Sequence, residues 1–262
     1  MPNSALQVAR TGLEAQDTRM RVIANNLANV GTTGFKRDRA NFATLAYQNE
    51  RVAGQQSSSE TAYATGLNLG TGVAVQSTSR IVTQGTLSNT SNALDLALDG
   101  EGYFQIEMPG GQLGYTRAGN FTRSAEGELV TVQGYRVQPG ITIPEDALAI
   151  SVAQDGTISA TTSQGGAPTE LGQLQVASFT NPAGLQATGD NFLLETAASG
   201  QAQMGAAGEN GRGNIRQGML ESSNVNVVEE LVDMIECQRA YEINSKMISA
   251  VDEMLRNANQ TM

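Results

Sequence analysis

Four groupings of side chains in this sequence have types that could do chemistry: Cys237, the run Ser57-Ser58-Ser59, the acids Asp95, Asp99 and Glu101, and the cations Lys36, Arg37 and Arg39. Each is weakened by what surrounds it. The chain contains no His, so the serine run lacks its usual activating base. A single Cys forms no internal disulfide and, without His, cannot build a structural zinc site. Inside a helical pattern Cys237 reads as a small buried apolar residue. Asp95, Asp99 and Glu101 do not follow an EF-hand spacing and read as charge at a strand edge. Gly100-Glu101-Gly102 precedes a strand pattern, not a helix, and reads as a hairpin or bulge. No GxxxxGK[ST] is present. Lys36, Arg37 and Arg39, interleaved with Asp38 in an acidic protein, read as a patch that pairs with acidic partner surfaces. The expectation is no catalytic residue, no cofactor and no metal. A net charge of −10 argues against nucleic acid as a partner.

The elements that would carry these groups fall into a clear order. Leu6, Leu13, Met20 and Leu27 recur at seven-residue spacing, with Ala9, Gln16, Ile23 and Val30 beside them. Near the other end Val227, Met234, Tyr241, Ile248 and Leu255 repeat the pattern, with Leu231 on a neighbouring position. A sustained seam of this kind has to be buried against another helix. Ser4 and Gln7 form a capping box for the first helix, and Asn226 with Glu229 for the last. Gly31 and Gly34 end the first helix near Val30. Residues 1–51 carry seven bases against four acids and residues 221–262 three bases against eight acids, so the two ends are electrostatically complementary.

Between the ends the period switches to two. Leu94, Leu96 and Leu98 alternate, and Pro109-Gly110-Gly111, Glu126-Gly127 and Asp155-Gly156 mark tight turns. Leu174, Val176 and Phe179, then Phe192-Leu193-Leu194, read as late strands. Residues 48–70 read as loop and 198–214 as a Gly/Ala/Gln-rich linker. The expected fold is α+β: long terminal helices pairing as a coiled-coil-like assembly domain (1–35 and 222–262), connecting segments (36–72 and 198–221), and an inserted antiparallel β domain (73–197), a barrel or sandwich. No apolar run is long enough to span a membrane, and the N-terminus lacks the pattern of a cleaved signal peptide. Tyr47, Tyr63, Leu67 and Leu69 are scattered apolar anchors in the polar segment 47–72.

Three stretches carry a family resemblance. Asn25-Asn26-Leu27-Ala28-Asn29-Val30 with Thr32-Thr33-Gly34-Phe35-Lys36 resembles the N-terminal signature of flagellar axial proteins of the rod and hook class, with Gly31 a mild departure. Leu98 to Gln105, with Tyr115 to Phe121 after it, looks like the start of that family's β domain. Ser222 to Val227, running through Glu229-Glu230-Leu231-Val232 to Gln238-Arg239-Ala240-Tyr241-Glu242, looks like its C-terminal signature. The resemblance marks Asn26, Leu27, Asn29, Gly34 and Phe35 as motif residues. It implies a structural subunit of the flagellar basal body, exported through the flagellar type III apparatus without a cleaved signal peptide. By length and by the segment Tyr47–Gly72, the distal rod is the nearest branch; a hook or proximal rod subunit is the alternative, and a secreted β-rich adhesin a more distant one. The partners implied are further copies of the chain, the proximal rod, the hook and hook-junction side, the surrounding periplasmic and outer-membrane rings, and the export apparatus. On this reading Leu6, Leu13, Met20, Ile23 and Leu27, with Val227, Leu231, Met234, Tyr241, Ile248 and Leu255, lie at subunit interfaces. The segment holding Tyr47, Tyr63, Leu67 and Leu69 stiffens the polymer.

Overall fold

The computed structural model describes residues 2–56, 63–162 and 167–260. The fold is α+β, with a helix near each end and an antiparallel β domain in the middle of the chain. It divides into two compact units, each assembled from segments distant in sequence.

The first unit takes the segments 1–27, 38–79 and 226–262. Helix α1 (Pro2–Ala28) begins at a proline, whose missing amide is no loss in a first turn. Ser4 therefore lies inside the helix, and the capping box expected there does not start it. Helix α2 (Val227–Gln260) runs for 34 residues. Its start is as expected at Asn226, whose Oδ1 accepts from the Val228 amide at 3.1 Å. Glu229 and Glu230 sit in the first turn, where the helix dipole favours acids. Contacts between the helices move down α1 as they move up α2: Asn26 to Glu230, Arg19 to Asp233, Gln16 to Cys237, and Gly12 beside Asn244. The two helices therefore run antiparallel.

Also in this unit, β1 (Asp38–Thr44) pairs with β4 (Val73–Arg80). The stretch expected as loop contains a hairpin, β2 (Tyr47–Arg51) against β3 (Leu67–Gly70), in the register Tyr47↔Gly70 and Gln48↔Leu69. Every residue of both strands is exposed. Strand pairing needs only backbone groups, so it arises here without the apolar alternation that would announce it.

The second unit takes residues 28–37 and 80–225. Its strands are β5 (Leu87–Asn89), β6 (Leu96–Asp99), β7 (Tyr103–Glu107), β8 (Leu113–Thr116), β9 (Phe121–Arg123), β10 (Leu129–Thr131), β11 (Arg136–Val137) and β12 (Ala149–Val152). They continue as β13 (Thr157–Thr161), β14 (Thr169–Gln173), β15 (Gln175–Ser178), β16 (Gln186–Gly189), β17 (Phe192–Leu194), β18 (Gln203–Ala206), β19 (Asn214–Gln217) and β20 (Met219–Glu221). A nine-stranded sheet follows the order β16-β17-β8-β7-β11-β10-β9, with β15 joining β7 and β18 joining β15. A second sheet is β12-β13-β14, while β19 pairs with β6 and β20 with β5. The three turns read from glycine dipeptides connect β7 to β8, β9 to β10 and β12 to β13, each an antiparallel pair.

The core explains the strand sequences. Phe104 and Ile106 point to one face of β7 and meet Phe121, Leu129 and Val176, with the Phe104 and Phe121 rings edge-to-face at 5.1 Å. Tyr103 points to the other face, with Tyr115, Ala177 and Leu193. Apolar residues thus cover both sides of this strand, so Tyr103-Phe104 reads as a run and not as an alternation. Residues 203–206 and 214–217, within the expected connecting segment 198–221, are strands paired with β15 and β6. The Gly content of this stretch reflects close backbone approach. Gly213, for example, has no room for a Cβ, which would lie 2.7 Å from the Asp99 carbonyl oxygen.

Candidate functional site: a buried charge triad and an exposed helix face

The most unusual chemistry in the second unit is a buried group of three charges. Glu221, at the end of β20, has a fully buried side chain, and those of Lys36 and Arg117 are only 5% and 7% exposed. Lys36 Nζ donates to Glu221 Oε1 at 2.5 Å and to the Thr83 carbonyl at 2.8 Å. The Gly85 amide donates to the same Oε1 at 2.9 Å. Arg117 Nε donates to Oε2 at 2.8 Å, and its other nitrogens reach the carbonyls of Gly100 and Gly102 at 2.7–2.9 Å. Two cations and one anion leave an excess positive charge, which these turn carbonyls help to neutralise. Burial by itself would push the Glu221 carboxyl up. Arg117, Lys36 and the Gly85 amide together outweigh it and hold the group below the usual carboxylate range. Burial pulls the Lys36 ammonium below the usual lysine range, opposed by Glu221.

Glycines make the approach possible. Gly34 has φ +69°, and a Cβ there would lie 2.7 Å from backbone atoms of Arg117 and Ala118. The Gly34 amide donates to the Glu221 carbonyl at 2.7 Å. A Cβ on Gly85 would run into the Ser222 carbonyl. Asn224 completes the junction by accepting from the Arg37 amide and donating to the Ile81 carbonyl, both at 2.8 Å. The basic patch read as partner-facing is thus divided. Lys36 is buried and paired within the chain, and Arg39 is exposed. The reading missed this because lysine and glutamate are usually solvated, and nothing local pairs residues 36, 117 and 221. One signal was available: all three lie in or directly beside the motif stretches.

In the first unit the motif residue Asn26 is buried between the helices. Its Nδ2 donates to the Asp38 carbonyl at 2.9 Å and to the Glu230 carboxylate at 3.2 Å, and its Oδ1 accepts from the Asp38 amide at 2.9 Å. Asn29 accepts from the Thr32 hydroxyl at 3.1 Å, Leu27 is half-buried, and Phe35 is buried. Replacing Asn26 by Ala removes two bonds to buried backbone. It should cost about 2 kcal/mol, read as a lower urea midpoint of the helical signal with an unchanged slope.

The expected seams divide in the same way. Ile23 is buried, and Leu6, Leu13, Met20 and Leu27 are half-buried. On α2, Met234 and Ile248 are half-buried, whereas Val227, Leu231 and Tyr241 are exposed; the Leu255 side chain lies outside the described residues. The most covered column on α2 is Glu230, Cys237, Asn244 and Val251, also at seven-residue spacing. It escaped notice because three of the four are not hydrocarbons. Cys237 Sγ lies 3.1 Å from the Gln16 carbonyl, and burial raises its thiol pKa. The opposite side of α2 bears a short apolar stripe facing solvent, Val228, Val232 and Ile235, and Ile243, Met247 and Met254 are exposed farther along the helix, nearer the covered column. Of the other groups singled out, Tyr47, Leu67 and Leu69 are exposed, and Tyr63 lies under the Arg51 guanidinium at 4.1 Å. Ser57-Ser58-Ser59 lie outside the described residues. Asp99 pairs with Arg216 at 3.0 Å, and Asp95 accepts from Asn92 at 3.0 Å. Among the described residues no helix is long and apolar enough to cross a membrane, and no group of three or more His, Cys, Asp or Glu side chains could hold a metal ion.

Three family profiles match in chain order. Residues 6–36 match "Flagella basal body rod protein", residues 97–160 "Flagellar hook protein FlgE/F/G D1 domain", and residues 216–261 "Flagellar basal body rod FlgEFG protein C-terminal". The flagellar basal-body rod protein FlgG of Buchnera aphidicola (from Acyrthosiphon pisum) is 49% identical over 98% of each chain. FlgG of Caulobacter vibrioides is 48% identical over 98% of each chain, and that of Borreliella burgdorferi 45% over 97%. The chain belongs to the flagellar basal-body rod protein family. It is a structural subunit of the rod in the flagellar basal body, its kinship with FlgG proteins places it in the distal rod, and it is not an enzyme. The triad takes on meaning here: Lys36, Arg117 and Glu221 each lie in a different one of the three rod-family segments. The ion pairs join one residue from each of those segments within the second unit.

Proposed function

We propose that copies of this chain polymerise helically into the distal rod, a stiff shaft carrying torque from motor to hook. The observation that carries this reading is α2's second apolar face. Val228, Val232 and Ile235 on the side away from the α1 contacts, with the exposed Ile243, Met247 and Met254 farther along, have no cover among the described residues, and a further copy of the same chain supplies it. In this reading the antiparallel helices act as a coiled-coil-like assembly domain. Leu6, Leu13, Met20 and Leu27, with Val227, Leu231, Tyr241 and Leu255, contribute to contacts between copies. The shaft joins the proximal rod to the hook side, turns within the periplasmic and outer-membrane rings, and its subunits leave the cell through the flagellar export apparatus without a cleaved signal peptide.

The hairpin β2–β3 supports a stiffening role. A two-stranded ribbon exposed on both faces is marginal alone, and contacts to neighbouring copies would hold it. Tyr47, Tyr63, Leu67 and Leu69 are its anchors. Electron micrographs of polymer grown from purified chain test both statements. The native chain should give straight rods. Deletion of residues 54–64, which include 57–62 outside the described residues, should still polymerise but give curved or compliant rods. Curved native polymer would instead favour a hook subunit, and straight polymer from the deletion variant would remove the hairpin's role.

A further inference from the structure

We infer that residues 219–225 are a latch that gates the whole β core of the second unit, so that the core closes only when Glu221 arrives between Lys36 and Arg117. The latch makes contacts out of proportion to its length. β20 pairs with β5, the Glu221 carbonyl takes the Gly34 amide, and its carboxylate takes the Gly85 amide and both cations. The Ser222 amide donates to the Thr86 carbonyl, and the Asn224 amide to that of Phe35. Glu221 is the only acid in the triad. Without it two buried cations face each other, and burying charge unpaired is far costlier than leaving it in water. Arg117 donates to the carbonyls of Gly100 and Gly102, which join β6 and β7, so the triad is tied by hydrogen bonds to the strands that carry the core residues Leu98 and Phe104.

Native-state amide exchange on the full chain with Glu221→Gln tests this, since the substitution keeps the shape, removes the charge and turns one of the two acceptor oxygens into a donor. If the latch gates the core, the amides of Gly34, Gly85 and Ser222 and those of Phe104, Ile106 and Val176 lose protection together, by about a hundredfold or more. Loss confined to Gly34, Gly85 and Ser222 would make it a local staple and overturn the inference. Lys36→Met, which leaves one acid facing one cation, should lose less protection than Glu221→Gln despite losing two hydrogen bonds; the reverse ranking would also overturn it. Where Glu221→Gln fails to fold, the triple variant Lys36→Met, Arg117→Met and Glu221→Leu, which leaves no charge at the site, decides: recovery of the fold supports a charge gate, and continued unfolding rejects it.

Discussion

Ile235→Asp and, independently, Ile243→Asp should leave a chain that folds and melts like the parent but does not polymerise. In the isolated chain these side chains are 50% and 63% exposed, so a carboxylate there costs little. In a polymer built on the α2 stripe the same carboxylate is buried against hydrocarbon with no cation provided, at a cost of several kcal/mol. A loss of even 2 kcal/mol at a central interface position raises the concentration needed for assembly by about thirtyfold. Ile248→Asp should differ. Ile248 is already half-buried, so that variant should lower the melting temperature as well as block assembly. Sedimentation across a concentration series, with thermal melts of the soluble fraction, separates the two. Normal polymer from Ile235→Asp would show that copies meet on some other surface.

Acid should unfold the second unit through Glu221. Its carboxyl is held below the usual range in the folded chain because the nearby cations and the Gly85 amide outweigh burial. A folded value below the unfolded one means that the unfolded chain binds more protons in the interval between them. The stabilisation is thus complete above the unfolded value, near that of an ordinary glutamate, and is lost as pH falls through the lower folded value. Protonation leaves the buried Lys36 and Arg117 side chains beside a neutral acid. The denaturant midpoint of the second unit should therefore fall over this interval. Denaturant titrations of the β signal from pH 7 downward measure it. Glu221→Gln should start at the lower stability and show a flatter acid limb; an equally steep limb would assign the acid sensitivity to other carboxylates.

Both predictions turn on features of unequal legibility. The glycine dipeptides at 110–111, 127 and 156 mark hairpins because positive φ is a local demand, and all three glycine sites adopt it. Asn226 is readable as a helix cap for the same reason. The hairpin β2–β3 is not, since its strands have no buried face to impose alternation. Within the chain the covered column of α2 lies beside the apolar column read from the sequence, because apolar residues on several sides of the helix leave more than one candidate face, and the covered one is marked by Glu230, Cys237 and Asn244.

What the sequence determined alone was what depends on near neighbours: a helix near each end, turn-punctuated strands between them, the absence of His-based chemistry, and membership in an axial family through three motifs. Tertiary structure decided which of α2's faces is covered and which charges are buried. Lys36, Arg117 and Glu221 are separated by 81 and 104 residues along the chain, and each alone resembles an ordinary solvated group. Their meaning comes from desolvation, and desolvation is a property of the folded surroundings, which no local stretch of sequence carries.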